Sequence, residues 1–268
     1  MKLEFFHSQP AAKAKTKSKH PPLLFVHGSY CAAWIWNEHF LPYFAEKGYA
    51  AYAISLRGHG ESEGQLNWAC LDDYVDDVEA ASDRLDAPPL LIGHSMGGLV
   101  VQHYLSRLNP AAGAVLLAST PPSGLGSSAL HLSCFAPEVL WQLSLLQSLG
   151  PQAISAEVIQ RAFFSDKTPG EEAAHLLPKL QAESNRVAAE LLCPSQPMPR
   201  LGDEAVPMLV LGGDADCFLP SSAFRETATF WQADLEILPG APHGLMLDHH
   251  WWRPTADKIL AWLAGKKL

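Results

Sequence analysis

Through the first 120 residues, short apolar runs bounded by Gly, Pro or Ser alternate with stretches whose apolar positions recur at helical spacing. PLLFVHG (22–28), YAAYAISLRG (49–58), PPLLIG (88–93) and GAVLLAS (113–119) read as strands buried on both faces. WIWNEHFLPYFAEKG (34–48), Leu71–Leu85 and Met96–Leu108 read as helices, the last closed by Asn109 and Pro110. This alternation predicts βαβ units around a mostly parallel sheet. In the second helix Leu71, Tyr74, Val75, Val78, Ala81 and Leu85 share one face, so Asp72, Asp73, Asp76, Asp77 and Glu79 are expected on a solvated one. An edge strand is expected at Lys2–Phe6, followed by a short basic turn at 11–20.

The rhythm stops after residue 120. Residues 121 to about 205 contain no convincing strand but carry helical runs dense in Leu, Phe and Trp. It resumes with PMLVLGG (207–213), a helix at Ser221–Trp231, DLEILPG (234–240) and a last helix at Pro254–Leu263. So long an insertion is no plain connection and predicts a helical cap. The chain divides into a first core segment (1–120), the cap (121–205) and a second core segment (206–268).

At 268 residues the chain is long enough to bury a core without staples. Its 19 Lys and Arg against 28 Asp and Glu give a net charge of −9, which disfavours nucleic acid and anionic membrane surfaces as partners. No apolar stretch reaches the roughly 18 residues of a membrane span, and MKLEFFHSQP lacks the apolar centre of a secretory signal. The five cysteines, odd in number and without a CxxC pair, read as buried thiols in a reducing compartment, and the expected location is cytoplasmic.

Gly93-His94-Ser95-Met96-Gly97 fits G-x-S-x-G between a buried strand and a helix, the context in which a serine sits on a strained turn with its hydroxyl exposed. The helix start directs N–H groups toward that serine, where negative charge develops during acyl transfer. Serine needs a base, and the base needs a third group to hold its tautomer. Among 12 histidines, His243 alone follows a late strand on a loop returning to the same sheet edge. Asp214 and Asp216, after PMLVLGG, are the acids available, and local chemistry does not separate them; Asp214 could equally cap its turn. His27-Gly28-Ser29-Tyr30 ends the first strong strand, so the N–H groups of Ser29 and Met96 are candidate oxyanion donors. Arg57, His59 and Glu61 read as a rigid turn beside that loop. Gly124-Leu125-Gly126 imitates a dinucleotide fingerprint but lacks its acidic partner. Asp248, His249 and His250 form no metal set with a third spaced cluster, and no metal or cofactor is expected.

Taken together, PLLFVHGS, RGHGES, IGHSMGG, GGDADCFLP and PHGLMLD, in that order, resemble the α/β-hydrolase superfamily over about residues 20–268. Locally the chain is similar to small carboxylesterases and to monoacylglycerol-lipase or lysophospholipase-like members with a cap. The resemblance implies an α/β-hydrolase fold with the cap inserted after the sixth strand. It also implies Ser95 as nucleophile, His243 as general base and acid, and, four residues before Pro220, Asp216 as the acid. The chain departs from the family at Ser55, where relatives often carry Asp, and in an abbreviated N-terminal strand pair.

The cap has few charges to offer on an inner face turned to the serine, so the expected substrate is a small ester with an apolar acyl or alcohol group, with Tyr30, Trp34, Leu130 and Trp141 lining its pocket. Thioester or carbon–carbon bond hydrolysis would use the same machinery, and a ligand sensor without turnover could retain it.

Overall fold

The computed structural model describes residues 1–10, 20–199, 202 and 205–268. The basic turn expected at 11–20 lies, but for His20, outside the described residues. Among the described residues seven strands form one sheet: β1 (Phe5–Ser8), β2 (Leu23–Val26), β3 (Ala51–Ile54), β4 (Leu90–His94), β5 (Gly113–Leu117), β6 (Met208–Gly213) and β7 (Asp234–Leu238). Their order is β1-β3-β2-β4-β5-β6-β7, with β1 antiparallel to β3 and every other pair parallel. Every residue of the four central strands, β2, β4, β5 and β6, is buried. That is why they read as continuous apolar runs, whereas β1 and β7 at the edges are half-exposed.

The helices are α1 (Trp34–Asn37), α2 (Phe40–Glu46), α3 (Leu71–Ser82), α4 (Met96–Ser106), α5 (Gly126–Phe135), α6 (Pro137–Leu149), α7 (Ala156–Phe163), α8 (Gly170–Leu176), α9 (Asn185–Leu192), α10 (Ser221–Trp231) and α11 (Trp252–Lys266). α3 packs on α4, and Trp231 of α10 donates to Gln102 of α4 at 2.9 Å. α2 packs on α11, so two helix groups flank the sheet. The helix expected over 34–48 is split. Pro42 has no N–H to bond the preceding turn, and His39, at φ −135°, breaks the helical path before it. No helix among the described residues is long and apolar enough to cross a membrane.

Two expectations are corrected here. The helical insertion α5–α9 follows the fifth strand of the described residues, not the sixth, because a single strand, β1, precedes the first parallel one. Of the five cysteines only Cys31 is buried; Cys70 and Cys217 are half-buried, Cys134 and Cys193 are exposed, and all five are free thiols.

A third correction concerns α3, whose acids do not share one solvated face. Asp77 is buried, and burial raises its carboxyl above the ordinary range against the opposing pull of Arg57. The Arg57 guanidinium grips it from Nε at 3.0 Å and Nη2 at 2.8 Å while Nη1 reaches Asp73 at 2.6 Å. The pair ties the turn after β3 to α3. Arg57→Ala would strand a buried carboxylate, and we expect it to cost about 3 kcal/mol, read as a lowered urea midpoint. An unchanged midpoint would show that the pair adds nothing to stability.

Candidate active site

After β3 the chain crosses to the far side of β2 to form β4, so neighbouring connections leave in opposite directions at the C-terminal ends of β2 and β4. Such a switch point opens a crevice. Ser95 stands at the end of β4 with φ 52° and ψ −119°, a strained conformation for a side-chain-bearing residue. The strain is held by three backbone bonds: Ser95 N–H to the Leu117 carbonyl (3.1 Å), and Thr120 and Gly98 N–H to the Ser95 carbonyl (3.1 and 3.0 Å). α4 begins at Met96, so its positive dipole end lies at the serine.

The turn is this tight because its glycines leave no room for a side chain. A Cβ at Gly97 would fall on the carbonyl oxygens of His27 and Val26, 2.5 Å from the latter, and one at Gly93 would strike the Gly97 carbonyl. Gly97→Ala must therefore push β2 away from α4. The expected loss is about 2–3 kcal/mol, seen as a lower melting temperature together with lost activity; a melting point equal to wild type would contradict this packing.

The loop after β2 meets the serine. A Cβ on Gly28 would lie 3.0 Å from Ser95 Cβ, and the Ser29 hydroxyl donates to Met96 Sδ at 3.3 Å. Neither the Ser29 nor the Met96 N–H bonds a backbone carbonyl among the described residues. His27 donates from Nδ1 to the Gly28 carbonyl (2.8 Å) and accepts at Nε2 from Leu56 N–H (3.0 Å), so both ring nitrogens are committed. Burial, reinforced by nearby His59, holds its imidazole down to about 3.

On the other side of the serine, His243 follows β7. Its Nδ1 donates to Asp216 Oδ2 at 2.7 Å, with both side chains buried. Asp216 Oδ1 accepts from Phe218 and Leu219 N–H at 2.8 and 2.9 Å. Asp214 turns elsewhere and accepts from Gly240 N–H at 2.6 Å, so of the two acids Asp216 alone reaches the ring. Phe218, His94 and Phe163 surround the imidazole at centroid distances of 4.7, 4.7 and 5.7 Å. His94 Nε2 donates to the His243 carbonyl at 3.1 Å, and burial keeps its ring far below the usual histidine range. With Nδ1 occupied, His243 presents Nε2 on the opposite side of the ring from Asp216.

Ser95 and His243 border one cavity of about 440 Å³, whose other walls include Leu125, Leu140, Leu143 and Leu191 of the insertion. Of the predicted pocket residues, Tyr30 lines it. Leu130 and Trp141 do not: they are 67% and 64% exposed on the outer side of α5 and α6. Those helices carry apolar residues all round, so no periodicity marks the inner face. Trp34 also lies outside the cavity, its ring covered by Lys179 Nζ at 5.1 Å. Sequence reasoning missed Phe163, Phe218, Gln147 and Glu183. Glu183 is a buried carboxylate in the cavity wall, accepting from Tyr74 Oη at 2.7 Å and Ser184 N–H at 2.8 Å. An acid in QAESNR carries no local mark of burial.

Among the described residues no cluster of three or more His, Cys, Asp or Glu side chains is placed to hold a metal. Asp248 instead accepts from Ser165 N–H, Thr168 Oγ1 and His250 N–H. The position filled by Ser55 is served by a carboxylate from elsewhere: its hydroxyl donates to Glu4 and accepts from Ala33 N–H at 3.0 Å.

Residues 23–257 match the model of the Alpha/beta hydrolase family. A monoacylglycerol lipase of Mycolicibacterium smegmatis is 25% identical over 242 residues, covering 85% of this chain and 82% of that protein. A non-heme chloroperoxidase of Streptomyces lividans is 38% identical over 104 residues, but the match spans only 37% of that relative's length. Among solved structures, a thermophilic esterase from Thermogutta terrifontis superposes with a TM-score of 0.73 at 19% identity, covering 98% of this chain and 93% of that one.

Proposed function

The chain belongs to the alpha/beta hydrolase family, and on that premise we propose that it is a serine hydrolase cleaving carboxylic esters with an apolar acyl or alcohol part. Ser95 attacks the ester carbonyl while His243 Nε2 takes its proton. The oxygen of the tetrahedral intermediate is met by the Ser29 and Met96 N–H groups, and Asp216 stabilises the imidazolium. His243 then gives the proton to the departing alcohol, leaving an acyl group on Ser95. Water, deprotonated by the same imidazole, releases the acid and restores the serine. Residues 121–205 act as a cap whose inner leucines receive the apolar chain.

The observation that carries this reading is the 2.7 Å bond from His243 Nδ1 to Asp216, made by a histidine that borders the same cavity as a strained serine. An apolar substrate is supported by the leucine-rich walls, which favour burial of hydrocarbon by about 25 cal/mol per Å². The test is labelling of Ser95 by a fluorophosphonate, with turnover of p-nitrophenyl esters from acetate to palmitate and of an acyl thioester. Folded protein that stays unlabelled at Ser95 and idle on every ester would sink the proposal.

A further inference from the structure

Tyr30 is where the helical insertion grips the loop that carries the Ser29 N–H. Its φ of 63° lies in the left-handed region, which a residue with a side chain occupies only under constraint. The constraint comes from the insertion at both ends of the residue. The Tyr30 carbonyl accepts from Gln181 N–H at 3.0 Å, in the segment leading to α9. The Tyr30 hydroxyl donates to Gln147 Oε1 of α6 at 2.6 Å. Gln147 is itself held, donating from Nε2 to the Glu183 carbonyl (3.1 Å) and to Asn185 Oδ1 (2.7 Å). Gln181 is held likewise, accepting from Gly60 N–H (2.8 Å) and donating to the Gly58 carbonyl (3.2 Å). Burial, with the nearby Glu183 carboxylate, pushes the phenol up, so the hydroxyl remains a donor.

The Ser29 N–H belongs to the Gly28–Ser29 peptide, one residue before the peptide that joins Ser29 to Tyr30, and the Ser29 side chain is tied to Met96. A rotation of Tyr30 about its constrained backbone would therefore turn the Ser29 N–H relative to Ser95. Nothing in the chemistry of ester cleavage asks for a hydroxyl at residue 30; its bond is made to Gln147 of the insertion, in the wall of the same cavity that Ser95 borders.

We propose that Tyr30 is a positioning residue: clamped between Gln147 and Gln181, it fixes the Ser29 peptide so that the oxyanion donor is aligned when the insertion is seated. This rests on the reading of Ser29 and Met96 as the oxyanion donors. It makes the insertion part of the catalytic geometry as well as the wall of the pocket.

The test compares wild type, Tyr30→Phe, Gln147→Leu and the double variant. The readouts are kcat and KM on p-nitrophenyl butyrate, inhibition by an alkyl trifluoromethyl ketone that adds Ser95 and forms an oxyanion, and melting temperature. Tyr30→Phe keeps the ring in the cavity wall and removes only the clamp. Expected is a fall in kcat of about tenfold, a matching loss of affinity for the ketone, and a KM within about twofold of wild type. Gln147→Leu removes the same bond together with those to Glu183 and Asn185, so it should lose at least that factor, and the double variant should lose no more than Gln147→Leu alone, because Tyr30→Phe removes only a bond that Gln147→Leu already lacks. A kcat and ketone affinity unchanged in Tyr30→Phe, a loss confined to KM, or additive losses would overturn the inference while leaving the hydrolase reading intact. A wild type that is neither labelled by fluorophosphonate nor active would overturn both. Should one variant fold poorly, the other decides by the same criteria.

Discussion

Ser95→Ala should reduce ester turnover by roughly 10⁴-fold or more, leaving at most the residual rate that binding and oxyanion donors supply without a nucleophile. The magnitude follows from what is removed. Without the hydroxyl there is no acyl-enzyme route, and a water molecule would have to occupy the same strained corner to replace it. Stability should not fall with activity. Ser95 owes its φ of 52° to backbone bonds with Leu117, Thr120 and Gly98, which alanine retains. The measurement is kcat/KM on a p-nitrophenyl ester beside a thermal melt. A variant that keeps more than about a hundredth of wild-type turnover would show that the ester is cleaved somewhere other than at Ser95.

Asp216→Asn should cost about 10⁴-fold in kcat, although the side chain changes by one atom. Asp216 uses its two oxygens differently: Oδ1 accepts from two backbone N–H groups, and Oδ2 takes the His243 Nδ1 proton. An asparagine has one oxygen, and the two N–H donors claim it, since an amide nitrogen cannot face them. The NH₂ group is left opposite His243 Nδ1. The ring then has to accept at Nδ1 and carry its proton on Nε2, where it cannot take the proton of Ser95. The expected signature is a nearly unchanged melting temperature, a collapsed kcat and a proton moved from Nδ1 to Nε2 in nitrogen-resolved NMR of the imidazole. A tautomer that stays on Nδ1 with kcat retained would remove Asp216 from the mechanism. Asp214→Asn is the internal control, because its carboxylate bonds Gly240 N–H and does not touch the ring.

The parallel strands were readable because each is encoded locally, whereas the edge strand expected at Lys2–Phe6 lies at Phe5–Ser8. β4 and β5 are short apolar runs closed by small residues, and burial on both faces leaves no polar interruption to misplace their ends. The start of α3 was equally plain, since Asp73 reaches back to Cys70 N–H at 3.0 Å, a bond between neighbours in sequence. The joining of Ser95 and His243 on one cavity was legible only through the order of motifs, as partners 148 positions apart carry no local sign of meeting. Asp77 shows the limit. Its neighbours Asp72, Asp76 and Glu79 are solvated, and only the approach of Arg57 from another element makes burial of one acid tolerable.

By itself, then, the sequence determined the alternation of strands and helices, the glycine-framed turn at Ser95 and the length of the insertion, all of which depend on steric and hydrophobic rules acting within a few residues. The tertiary structure decided which of two aspartates faces the imidazole, which side of α5 and α6 looks inward, and how Tyr30 is held. Those choices depend on the path of a loop or the rotation of a helix against its neighbours, and residues that differ only in direction look identical along the chain.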